Sequence, residues 1–237
     1  MRAMGTRQPV SVLLTALHEK FGQNLKALQS NATIRLDRID LNSRAIDGIG
    51  TELLSKHCDS NKQKTACAQL LDEIFADFSQ SMYLLSIGLL VPARMVLRRG
   101  LELGLAVVYM WDIPHEYWGW KLHGLQLSFS EMAAHCSSEY YISHLANVNG
   151  CPAAVEPNQI STELKRLYAA LSNTVHGRYD ELPPLSPERY SSDQNKIDDH
   201  LKMAIQVQVA IINLLCLRFP EMQTYIQANF PGATRVA

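Results

Sequence analysis

The chain has 237 residues, 47% hydrophobic and 19% charged, with a formal net charge of −1. That is enough apolar material for a substantial core, and a charged fraction below the roughly 25% of ordinary soluble domains implies that another copy or a partner covers part of the surface. A pI near 6.7 excludes a function resting on overall basicity, so any contact with nucleic acid needs a local basic patch.

Arg2 and Arg7 precede an apolar run at Val10–Leu17. The run is short and meets His18, Glu19 and Lys20 at once, so it reads as a first amphipathic helix rather than a leader. Pro9 opens it, and Leu13, Leu14, Leu17, Phe21, Leu25 and Leu28 follow at helical spacing. Ser30–Thr33 makes a break. A second helix runs from Ile34 to about His57, weakened by Gly48 and Gly50. A third starts near Lys62, carries Leu71, Ile74, Phe78 and Leu85, and ends near Gly88–Val91, because the residue before Pro92 disfavours the α conformation. Pro92 suits the first turn of a fourth helix, Ala93–Trp111.

Pro114 opens a helical stretch to about Asn147. Asn149, Gly150, Pro152 and Pro157 mark a loop. Ser161 is read as the N-cap of a helix running to His176, with Gly177 as its stop. Leu182–Ser192 holds Pro183, Pro184 and Pro187 and is read as a loop. Ser192 or Asp193 caps a last long helix through Ile197, Leu201, Ile205 and Leu215, and Pro220 ends it. No strand-like alternation appears. The expectation is an all-α helical bundle over residues 61–237 with an N-terminal helical extension over residues 1–60. In the most apolar region, Met82–Trp111, charged residues leave no uncharged run of the roughly 18–20 residues a membrane span needs, so it reads as a buried helix pair. The five cysteines, Cys58, Cys67, Cys136, Cys151 and Cys216, are scattered without a CxxC pair, which fits reduced, mostly buried thiols in a cytoplasmic protein.

Arg94, Arg98 and Glu102 lie at i, i+4 and i+8, one stripe of an otherwise apolar helix. Ions in such a helix must be paired or face a cavity. Arg98 can pair with Glu102, and Arg99, about 100° round the helix, is read as solvated. Two readings stand: an ion-pair network pinning the helix to its neighbours, or an anion site, since guanidinium matches phosphate bidentately. Gly100 and Gly104 read as a place of close helix packing. His176 falls in the last turn of its helix, where the negative helix end favours the imidazolium, with Asn173 one turn back and Arg178 just beyond. Either it caps its own helix, or it serves as a general acid or base for RNA cleavage beside cationic Arg94, Arg98 or Arg178.

At Ala93-Arg94…Arg98…Glu102 and at Leu171-Ser172-Asn173-Thr174-Val175-His176 the sequence resembles the HEPN-like group of bacterial helical domains, in a divergent branch with Ala-Arg-xxx-Arg-xxx-Glu and Leu-Ser-xx-Val-His motifs. The resemblance covers about Phe75 to Leu217. It implies a four-helix core, frequent dimerisation and, in many members, metal-independent ribonuclease activity in toxin–antitoxin or anti-phage systems. The usual active motif is Arg, four to six residues, then His on one helix. This chain departs from it: no Arg stands in the required window before His176, and Lys165 and Arg166 lie too far back.

The resemblance therefore implies one of two things. Catalysis through His176 would borrow Arg94 or Arg98 from another helix, with Glu102 and Asn173 orienting and Arg178 binding substrate. Otherwise the domain is an inactive relative that binds RNA or a partner protein of a defence complex, as a homodimer or a hetero-complex. A third possibility is a small-molecule-binding bundle floored by the Arg/Glu stripe. No cofactor and no membrane are expected. His115, Glu116, His123, His135, Cys136 and His144 lack zinc-ligand spacing. Trp111, Tyr117, Trp118 and Trp120 cluster around Pro114 and read as core or dimer interface ahead of a base-stacking platform.

Overall fold

A computed structural model describes residues 10–149, 157–175 and 193–233. Among the described residues there are ten helices and no strand: α1 Val10–Asn31, α2 Thr33–Lys56, α3 Lys62–Ser86, α4 Leu90–Asp112, α5 Pro114–His123, α6 Phe129–Ser137, α7 Glu139–Asn149, α8 Pro157–Val175, α9 Gln194–Arg218 and α10 Glu221–Asn229. The all-α bundle expected from the sequence is what forms. Arg2, Arg7, Cys151, His176, Gly177, Arg178 and the loop expected at Leu182–Ser192 lie outside the described residues.

The helix ends follow local chemistry. Asn61 accepts a hydrogen bond from the Lys64 backbone N–H, and Asp193 accepts one from Asn195, so each satisfies an orphan donor at the start of α3 and α9. Gly88 adopts φ 80° after α3. Its N–H bonds the Leu85 carbonyl, and the Leu89 N–H bonds that of Leu84, which is the left-handed stop a glycine permits. Two helix boundaries differ from expectation. The stretch from Pro114 to Asn147 breaks into three helices, because Gly124 turns left-handed (φ 66°) and ends α5. Pro157 opens α8, so Ser161 lies inside that helix and is not its N-cap.

α2, α3, α4 and α9 form a closed ring, each packed on the next, with α8 and α6 against the outer side of α4. The division expected near residue 60 falls between two helices of this ring. α2 contributes Ile46, Ile49 and Leu53 to the same fully buried core as Leu71, Leu97, Leu101 and Ile212. Buried amides tie the ring together. Gln208 donates to the Ile39 carbonyl (2.9 Å) and Ser43 Oγ (2.8 Å), joining α9 to α2. Gln63 donates to the Met110 carbonyl (2.5 Å) and the Trp111 carbonyl (3.2 Å), joining the start of α3 to the end of α4. α9 is also, among the described residues, the one helix long and apolar enough to cross a membrane, and 67% of that apolar window is buried inside the bundle. Its apolarity is accounted for by its place in the core.

The glycine pair on α4 divides by role. A Cβ at Gly104 would sit 2.6 Å from Ile211 Cγ1 on α9, whereas one at Gly100 would meet only ordinary contacts near 3.8 Å with Asp77 Cβ. Gly104→Ala is therefore expected to overpack the α4–α9 contact and cost about 1–3 kcal/mol. Gly100→Ala should be neutral or stabilise by up to about 1 kcal/mol through helix propensity. Urea unfolding of the two variants checks this, and equal midpoints would contradict it.

Candidate functional site

The stripe on α4 is clasped, not open. Arg98 Nε donates to Glu102 Oε1 at 3.0 Å, and Nη2 donates to the Tyr168 hydroxyl on α8 at 2.5 Å. Nη1 lies 3.5 Å from Ser172 Oγ. The guanidinium also stacks over the Tyr168 ring, 4.5 Å from its centroid. Phe129 stacks on the same ring, with centroids 3.8 Å apart. A pocket of ring faces and one carboxylate thus neutralises the Arg98 charge and engages three of its nitrogens.

Arg94, one turn earlier, lies half-buried near His200 of α9. His200 is fully buried, with Nε2 at 2.9 Å from Ser81 Oγ. Ser81 gives its only hydroxyl hydrogen to the Ala93 carbonyl at 2.9 Å. His200 must therefore donate from Nε2, which leaves Nδ1 as the bare nitrogen. Burial, with the Arg94 charge adding to it, pushes the His200 pKa down to about 3. This imidazole is neutral near pH 7 and shut away from solvent, so it is a core histidine and no acid/base group.

Arg99 is exposed, as expected, and is paired as well. Its side chain is half exposed, but the guanidinium pairs with Asp77 on α3, whose side chain is buried, and with Glu73 at 3.2 Å. The 100° step that turns Arg99 away from the stripe brings it to solvent, as expected, and also alongside α3. Burial raises the Asp77 carboxyl despite the opposing pull of Arg99.

A second polar cluster escaped the sequence reading. Asp112, the last residue of α4, accepts from Arg218 Nε (2.6 Å) at the end of α9 and from the Tyr141 hydroxyl (2.6 Å) on α7, and lies 3.1 Å from His135 Nε2 on α6. Burial alone would raise its pKa, but the hydrogen bonds from His135 and Tyr141 and the Arg218 charge outweigh it and hold the carboxyl below the usual range. The only trace in sequence was a lone acid closing an apolar run, with partners 23 to 106 residues away.

Of the residues expected to form a site, Arg98 and Glu102 pair on α4, and Arg98 reaches α8. Asn173 is exposed on the last turn of α8. His176 and Arg178 lie outside the described residues. Of the aromatic cluster, Trp111 and Tyr117 are core, while Trp118 and Trp120 are exposed. Burial raises the thiols of Cys67 and Cys216 to about 12, which makes them inert. Among the described residues no three His, Cys, Asp or Glu converge as metal ligands. Comparison with protein-family models, with curated proteins and with solved structures finds no match to this chain.

Proposed function

We propose that this chain is a HEPN-like helical protein of a bacterial defence or toxin–antitoxin system, acting in the cytoplasm as a non-catalytic subunit that binds RNA or a partner protein. What supports the non-catalytic reading is the state of Arg98. Its charge is met by Glu102, its face by Tyr168, and its Nη2 by the Tyr168 hydroxyl. A phosphate ligand would have to displace a carboxylate and unstack an aromatic ring, which removes the advantage a guanidinium offers to a developing phosphorane. The stripe then works as a clasp holding α8 on α4.

One observation favours the second reading, a metal-independent ribonuclease using His176 with Arg94 or Arg98. The two motifs that carry the resemblance meet. Arg98 of the first lies against Ser172 of the second, four residues before His176. A single assay decides between the readings. Purified wild type and His176→Ala are incubated with structured and single-stranded RNA in the presence of a chelator. The first reading expects no cleavage above the variant's level. Cleavage by the wild type that is lost in His176→Ala would overturn it and establish the second.

A further inference from the structure

α1 carries apolar residues on two sides, and the bundle uses one of them. The helix packs on α2 and α3. On that side Asn24 and Leu28 are buried, and Leu17 and Phe21 are half-buried. Leu14 and Leu25, by contrast, are 59% and 44% exposed. They are eleven residues apart in sequence, close to three full turns, so they share one side of the helix. His18 and Gly22 lie between them on the same stripe, and both are exposed. A Cβ added at Gly22 would meet nothing within 4 Å, so another backbone can come close there.

The charges beside this stripe select what covers it. Glu19 and Lys26 border it on one flank, at angles about 20° apart round the helix. The rise between them is about 10.5 Å, too long for an ion pair within α1. Neither is ion-paired to any other described residue. Two opposite charges seven residues apart on one flank are self-complementary in an antiparallel pair. A two-fold axis across the helices reverses their direction but keeps each flank on its own side. Residue i of one copy then meets residue j of the other, and j meets i. With the axis between Gly22 and Gln23, midway between Glu19 and Lys26, both charge pairs form at once. A parallel pairing would set Glu19 against Glu19.

We propose that α1 docks antiparallel on α1 of a second copy of this chain, two-fold about Gly22–Gln23, with Glu19 of each copy paired to Lys26 of the other. In this register Leu25 of each copy rests on the His18–Phe21 turn of the other. Leu14 lies opposite position 31 of the second copy, close in sequence to Ile34, which is 86% exposed. The apolar stripe supplies the buried surface, and the flanking charges fix orientation and register. This face is separate from the α4–α8 clasp, and the pairing does not depend on the function proposed above.

The test is sedimentation velocity of the full chain over a wide concentration range, with circular dichroism confirming that each variant is folded. A reversible species of twice the 26.6 kDa chain mass is expected. Leu25→Glu, at an exposed position, should leave monomer only. Glu19→Lys and Lys26→Glu should each weaken the dimer roughly tenfold, because each turns two attractions into two repulsions. The double variant Glu19→Lys/Lys26→Glu should recover wild-type affinity. An equimolar mixture of the two single variants should form a heterodimer tighter than either homodimer. Monomer at every concentration would overturn the proposal and leave the stripe to a different occupant. A dimer indifferent to Leu25→Glu would place the interface elsewhere. Single reversals that weaken the dimer without recovery in the double variant or the mixture would overturn the antiparallel register.

Discussion

Asp112→Ala is expected to lower the unfolding free energy by about 3–4 kcal/mol, because removing one partner of a largely buried ion pair strands the others. For a chain of this size that corresponds to a fall in melting temperature of roughly 6–16 °C. The carboxylate is the point where α4, α6, α7 and α9 are joined: it receives Arg218, His135 and Tyr141, and its own side chain is only 13% exposed. Without it, the Arg218 guanidinium and the Tyr141 hydroxyl lose their acceptor in a site that water reaches poorly. The contribution also has a pH signature. The folded carboxyl titrates below its unfolded value of 3.8, so its stabilisation is fully present above about pH 4 and is lost as pH falls through the folded pKa. Wild type and variant compared by chemical unfolding should differ strongly at pH 7, and the difference should shrink progressively as pH is lowered from 4 through the folded pKa. A cost under about 1 kcal/mol at pH 7 would mean that the cluster is surface decoration.

The second large effect is acid sensitivity set by His200. Folded, this imidazole stays neutral down to about pH 3; unfolded, it takes up a proton near pH 6.5. The unfolded state therefore binds the additional proton. The stability at stake is present in full above pH 6.5 and is lost progressively as pH falls toward 3, at about 1.4 kcal/mol per pH unit once well below 6.5. His200→Gln keeps a donor toward Ser81 and removes the titration, so its stability should fall less steeply over this interval. Guanidinium unfolding of both proteins between pH 7 and pH 4.5 checks the point; parallel profiles would place the acid-sensitive group elsewhere.

Both effects come from residues the sequence did not single out, and the reason is the same for each. Asp112 and His200 acquire their chemistry from partners far along the chain, Arg218 and Ser81 respectively. No period of 3.6 encodes such a meeting. Arg99 shows the limit more sharply. Its angle round α4 and its exposure were readable, but the Asp77 that α3 carries at that angle was not. Gly104 shows the reverse. The spacing with Gly100 announced close approach, yet only the position of Ile211 tells which of the two glycines requires it.

By itself the sequence determined the helices, most of their ends and the apolar faces that pack. Those depend on local capping, on proline and glycine geometry, and on a short-range period. It also placed Arg98 within reach of Glu102, since an i, i+4 pair is local. The tertiary structure alone decided that α2 belongs to the core ring, that Tyr168 and Ser172 receive Arg98, and that Asp112 meets Arg218, His135 and Tyr141. These are long-range contacts, fixed by how whole helices pack, and packing depends on every facing side chain at once.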